Sequence, residues 1–121
     1  MKLLKPTAIL ATLLISACTT AAYEGSRKPD SEIAKIVSDR ITIATIDGKD
    51  VPYSGGNYAT FKVLPGNHTV GIALNDTSNY PRTRISTHPL TATFKADAGK
   101  TYIARPVYDD AKWSPEIVLK E

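Results

Sequence analysis

The sequence predicts an all-β protein, a single antiparallel β-sandwich of about seven strands preceded by a signal peptide and a flexible tether. Three observations predict it. From Ile33 onward, apolar residues recur at every second position, the period of a half-buried strand rather than of a helix. Val, Ile, Thr, Tyr and Phe dominate these runs, and such side chains pack well on a pleated surface. Clusters of Gly, Pro, Asn and Asp separate the runs at the regular spacing of sandwiches and barrels.

The elements follow in order. "IAKIVS", from Ile33, is a first strand, or the start of a short helix if read as "SEIAKIV". "RITIATI" places Ile41 and Ile43 on one face and Thr42, Ala44 and Ile46 on the other. "DGKDV" is a turn in which Gly48 supplies the positive φ of a tight hairpin. "YATFKVL" turns Ala59, Phe61 and Val63 inward. Pro65 and Gly66 suit the centre of a type II turn. "HTVGIAL" sets Val70, Ile72 and Leu74 on one side. Asn75 to Pro89 is polar, holds two prolines and reads as a long loop. "LTATFKA" resumes the alternation through Leu90, Ala92 and Phe94. "DAGK" and "DDAK" are turns around the strand "TYIARPVY". "WSPEIVL" is the last strand, with Pro115 suited to an edge or a bulge.

The amino terminus obeys different physics. Lys2 and Lys5 form a positive leader before the apolar run Ala8 to Ile15. A helix of that length rises only ~12 Å, whereas a bilayer core of roughly 30 Å needs about 20 apolar residues. A charged start, a short apolar run and small residues after it match a secretory signal. The junction "ISAC" resembles the lipobox of bacterial lipoproteins, with Ile15, Ser16, Ala17 and Cys18 in its four positions. The resemblance implies a diacylglyceryl group on the Cys18 sulfur, cleavage after Ala17 and acylation of the new terminus. An ordinary secretory signal with a stray cysteine is the plainer alternative. Two or more acyl chains anchor stably. Thr19, where an aspartate would signal inner-membrane retention, favours the outer membrane, facing the periplasm. Thr19 to Ser31 is small and polar and reads as a tether, with an edge strand around Tyr23 as its alternative. The expected division is a signal peptide over 1–17, a lipidated terminus and tether over 18–31, and a sandwich over 32–121.

Loss of residues 1–17 leaves 104 residues, the size of one domain. It also removes Lys2 and Lys5 from the 15 basic residues, leaving 13 against 12 acidic. No basic cluster remains to follow a phosphate backbone, so nucleic acid is not an expected partner. Cys18 is the only cysteine. Once it carries lipid, disulfides, thiolate metal sites and cysteine nucleophiles are excluded from the domain.

The phrases "TIDGKDV", "KVLPGNHTVGI" and "AGKTYIARP" together resemble PEGA-type surface modules and small bacterial lipoproteins of uncharacterised function. The resemblance runs from about Ile41 to Arg105. It implies a PEGA-like or immunoglobulin-like sandwich and a non-catalytic role in attachment or recognition at the cell envelope, with no active residues to carry over. The chain departs from the short PEGA pattern by continuing to Trp113 and beyond, and the unit is not repeated.

Few residues suggest chemistry. His68 and His88 lack metal-ligand spacing, and His68, in register with Val70 and Ile72, reads as a strand-end histidine. Asp109 and Asp110 are adjacent, so on a strand they face opposite ways and in a turn both face water. Gly55 and Gly56 lack the context of a phosphate loop. No cofactor and no metal are expected. Binding is the better use of what remains. Tyr80, Arg82 and Arg84 lie in the long segment, and alternating arginines point the same way if it is extended. Guanidinium groups suit the carboxylates and phosphates of envelope glycans and lipids, although a merely solvated loop explains them too. Trp113, the only tryptophan, is a core anchor or a binding platform. The expected function is thus a lipid-anchored binding or structural module with a membrane anchor and an envelope protein or glycan as partner. An inhibitor or accessory subunit of an envelope enzyme or secretion assembly is the first alternative. A hydrolase or metal-dependent enzyme is the second.

Overall fold

The computed structural model describes residues 19–51, 59–79, 81–86 and 88–121. The signal segment with Cys18, the "YSGGNY" excursion and Tyr80 lie outside the described residues.

Ten strands are formed among the described residues: β1 Thr19–Ala21, β2 Ala34–Ser38, β3 Ile41–Ile46, β4 Lys49–Asp50, β5 Thr60–Val63, β6 Gly66–Asn79, β7 Arg82–Ile85, β8 Leu90–Ala96, β9 Thr101–Asp109 and β10 Lys112–Leu119. One sheet has the order β1-β5-β2-β9-β10. The other has the order β4-β3-β6-β7, with β8 also paired to β6. The chain is therefore an all-β sandwich. It is not wholly antiparallel, because β1 runs parallel to β5 and β2 runs parallel to β9. β2 leaves the first sheet at the Asp39–Arg40 end, and β9 enters it at the opposite end after β8 of the second sheet, so both run the same way. The count exceeds seven because β1 and β4 are short edge strands and one return strand is split in two.

The core lies between the sheets. Ile36, Phe61, Val63, Tyr102 and Ala104 of the first sheet and Ile41, Ile43, Ile46, Val70, Ile72 and Leu74 of the second are all buried in one cluster. The period of two places Ala59, Phe61 and Val63 inward as expected, and likewise Val70, Ile72 and Leu74. Ile46 departs from its expected side. The β3–β6 register shifts between Ile43 and Thr45, so Ile43 opposes Ile72 but Thr45 opposes Gly71. One extra residue reverses the alternation. Ile46 then joins Ile41 and Ile43 in the core, 4% exposed.

The segment Asn75 to Pro89 is not a long loop. β6 continues to Asn79, and β7 folds back on it with Asn75 opposite Ile85 and Asp76 opposite Arg84. β8 takes the same edge of β6 lower down, from Ile72 opposite Leu90 to Gly66 opposite Ala96. β7 and β8 are thus two parts of one return strand, the first ending at Ile85 and the second beginning at Leu90. Pro89 has no N–H to give to a ladder, and pairing resumes two residues out of step. The Leu74 amide donates to Ser86 Oγ at 2.8 Å, and the Ser86 amide donates to the Leu74 carbonyl at 3.2 Å, bridging the break.

The turns sit at two ends. At one, Asp47 and Gly48 both have positive φ, 54° and 80°, the two-residue type I′ hairpin that joins β3 to β4. The Tyr102 hydroxyl accepts from the Asp97 amide at 2.9 Å, tying the β8–β9 connection across the sheets in the manner of a tyrosine corner. At the other end are Thr19, the Asp39–Arg40 connection and two long hairpins. β6 runs five residues past Leu74, which opposes the first residue of β3. β9 runs five residues past Ala104, which opposes the last residue of β2. At about 3.4 Å per residue, each hairpin projects ~17 Å beyond the body.

Candidate functional site

The projecting hairpins meet over a polar cluster. Extending the inward series Val70, Ile72, Leu74 by one step reaches Asp76, whose carboxylate is 4% exposed. A carboxylate buried at a sheet end needs donors. Its Oδ1 accepts from the Ser78 amide at 2.9 Å and from the Ser78 hydroxyl at 2.6 Å. Its Oδ2 accepts from the Tyr108 hydroxyl, which belongs to β9 of the other sheet. Burial pushes the Asp76 carboxyl up, but the Ser78 hydroxyl, the Tyr108 hydroxyl, the Ser78 amide and the nearby Arg40 charge outweigh it and hold it at about 2. Burial and then the Asp76 acceptor and its charge push the Tyr108 phenol up to about 12.

Arg84 lies directly opposite Asp76 on β7 and stacks on the Tyr108 ring, with its Cζ 3.9 Å from the ring centroid. Such a cation–π contact orients the planar guanidinium while leaving its edge donors for other acceptors. Arg84 makes no ion pair among the described residues; Asp39, not Asp76, holds Arg40.

Beside this cluster an open cleft of about 600 Å³ separates the split β7–β8 strand from the β9–β10 hairpin. Arg84 and Lys112 line it, together with Ile85, Leu90, Leu74 and Trp113. Trp113 opposes Tyr108 across the β9–β10 ladder and is partly buried against the core, so one face anchors the hairpin while the residue also lines the cleft. Ile85 is 67% exposed, the most exposed of the large apolar side chains described. A smaller space of about 200 Å³ lies across the sandwich, between the β1 segment and β4.

Of the residues expected to bind, Arg84 lies in the cleft wall and Arg82 is exposed two positions earlier on the same strand. Tyr80 is outside the described residues. His88 also lines the cleft. His68 is elsewhere, clamped between the Asp47 carboxylate at 2.6 Å from Nδ1 and the Leu64 carbonyl at 2.6 Å from Nε2. Asp109 and Asp110 are exposed where β9 turns into β10, with Asp110 at φ 56°. Asp76 and Tyr108 escaped the sequence reading. The signal for Asp76 was the alternation itself, carried one step past Leu74. Tyr108 offered none, since its partner lies on the other sheet. Comparison with protein-family models, with curated proteins and with solved structures found no match to this chain.

Proposed function

We propose that the chain is an envelope lipoprotein whose sandwich is a non-catalytic binding or structural module. Residues 1–17 are removed, Cys18 carries the lipid, and the body faces the periplasm from the outer membrane. The observation that carries the reading is "ISAC", which ends on the only cysteine of the chain. The likeness of "TIDGKDV" and "KVLPGNHTVGI" to PEGA-type modules supports a role in attachment or recognition. The residues that suggested catalysis have structural uses instead: both ring nitrogens of His68 are engaged, and Asp109 and Asp110 sit at a hairpin tip.

The position of β1 gives the anchor a geometric meaning. Thr19 is the first residue after Cys18, and it pairs with Thr60 at the end of the sandwich that carries the long hairpins. A lipid on Cys18 would hold that end one peptide unit, about 3.8 Å, from the anchored residue. Replacing Cys18 with Ala is expected to move the protein from the membrane to the soluble periplasmic fraction. Continued fractionation with membranes would overturn the anchor.

The projecting hairpins favour a second reading, an accessory subunit or inhibitor, because loops on a rigid scaffold carry recognition. Photo-crosslinking from position 84 that yields one dominant protein adduct supports it, and glycan adducts or none favour the first reading.

A further inference from the structure

We propose that the cleft between the split β7–β8 strand and the β9–β10 hairpin binds an amphiphilic organic anion, a phosphate or carboxylate head on an apolar tail. The proposal deepens the binding-module reading and rests on it.

Three features specify that ligand. The first is charge. Arg84 and Lys112 both line the cleft, no residue lining it carries a carboxylate, and neither makes an ion pair among the described residues. Several other basic side chains are matched, as in Lys35 with Asp30, Lys49 with Glu24 and Arg105 with Glu116. Two unmatched cations on one concavity complement an anion.

The second is orientation. A guanidinium on a free side chain loses rotamer entropy when it binds, but the Arg84 guanidinium already sits over the Tyr108 ring. Tyr108 is itself fixed by its hydroxyl on Asp76, and Asp76 by Ser78. This chain of contacts runs from the buried carboxylate to the cleft wall. It leaves the Arg84 edge donors free for the paired oxygens of a phosphate or carboxylate.

The third is the apolar half. Leu74, Ile85, Leu90 and Trp113 share the same concavity, and Ile85 and Leu90 are both among the exposed large apolar residues. Inorganic phosphate alone would leave them in water, and a neutral alkane would leave both cations unmatched. A molecule with both parts satisfies both surfaces.

Trp113 is the only tryptophan and lines the cleft, so its emission reports occupancy directly. Full-chain protein is placed on phosphatidylcholine vesicles and titrated with hexyl phosphate, hexanol and inorganic phosphate. Flotation of the vesicles reports the anchor, and emission reports the cleft. A saturable change with hexyl phosphate, at concentrations where hexanol and inorganic phosphate give little, supports the proposal. Arg84→Gln and Lys112→Gln should each weaken it about tenfold, the size of one lost charge-assisted contact. Tyr108→Phe, which keeps the ring but releases it from Asp76, should weaken it less. An equal response to hexanol, an equal response to inorganic phosphate, or indifference to both charge substitutions would overturn it. Protein that floats yet gives no response keeps the anchor and overturns the cleft; protein that binds hexyl phosphate without floating does the reverse.

Discussion

Tyr108 of one sheet donates its hydroxyl hydrogen to the buried carboxylate of Asp76 in the other, and this contact holds together the end of the sandwich where both long hairpins begin. Ionic hydrogen bonds to buried groups contribute about 2 kcal/mol, and losing one partner leaves the other desolvated. Tyr108→Phe is expected to lower the unfolding free energy by about that amount in urea titration. Asp76→Asn, which keeps the shape but not the charge, should behave similarly. No change in either variant would mean that water replaces the contact at no cost.

The same pair shapes stability at both extremes of pH. Asp76 is held at about 2, below its ordinary 3.8. Its contribution is therefore complete above the ordinary value and disappears as pH falls through about 2. Tyr108 is raised from 10.0 to about 12. Its contribution is complete below 10 and disappears as pH rises towards 12, because the unfolded phenol ionises first. Asp76→Asn should flatten the acid limb between about pH 4 and 2 and the alkaline limb together. A variant that flattens only one limb would show that the two groups are not coupled.

The β3 bulge makes a close packing demand on Gly71. A Cβ built there falls inside the contact distance of Thr45 Oγ1, the residue opposite it in the shifted register. Gly71→Ala should destabilise by about 1–3 kcal/mol, the usual cost of overpacking. Adding Thr45→Ala should recover most of the loss, since the obstructing oxygen is then gone. A double variant no more stable than Gly71→Ala alone would place the strain in the backbone instead.

How far the sequence carries the fold is visible at this bulge. The period of two identified β2, β3, β5, β6, β8, β9 and β10 and the inward residues Phe61, Val63, Val70 and Ile72, because one face of each of these strands is buried and alternation records burial directly. It misplaced Ile46, because an added residue reverses the phase without any mark in composition. It read Asn75 to Asn79 and Arg82 to Ile85 as a loop, because β6 and β7 project past the core and their residues need not be apolar there. The arginines at 82 and 84 were legible as a possible site, and strand formation sets them in alternate register as expected. Their surroundings were not legible. Tyr108, Lys112 and Trp113 reach the cleft only through the pairing of β9 with β10 and the stacking of the two sheets, and both are non-local.

Asp47 serves the opposite end twice, once through its backbone and once through its carboxylate. Its positive φ builds the type I′ turn with Gly48, while its carboxylate accepts from the Thr69 amide at 2.9 Å and from His68. Burial raises the Asp47 carboxyl, but the Thr69 amide and the His68 ring outweigh it and leave it lowered. Asn is equally suited to the turn. Asp47→Asn should therefore keep the hairpin and change stability at neutral pH by only about 1 kcal/mol, because the Asp47 carboxylate is half exposed and its charge is screened by water. Below the ordinary carboxylate range the difference from the parent should vanish, since the parent's contribution is lost as its carboxyl protonates. His68→Ala should be worse at every pH, because it also strips the Leu64 carbonyl of its donor. Equal effects from the two substitutions would assign the whole contribution to the charge.

β1 decides how much chain lies between anchor and body. Thr19–Ala21 pairs with Thr60–Lys62, and the Ala22 amide then donates to the Lys62 carbonyl at 2.8 Å. The segment expected as tether thus begins as an edge strand, and with β1 docked no free residue separates Cys18 from the sheet. Ala22 also packs against the core, so the strand is held by burial as well as by the ladder. Ala22→Pro removes that donor and should release β1 for about 1 kcal/mol, the net worth of one hydrogen bond. Release would leave Cys18 linked to β2 through 15 residues, up to about 50 Å of extended chain. Hydrogen exchange should then rise over residues 19–21 and 60–62 while β9 stays protected, and trypsin should cut faster after Arg27. Exchange that rises everywhere would mean that β1 is integral to global stability. Exchange that rises nowhere would mean that the pairing of Thr19–Ala21 with Thr60–Lys62 holds the strand without the hydrogen bond of residue 22.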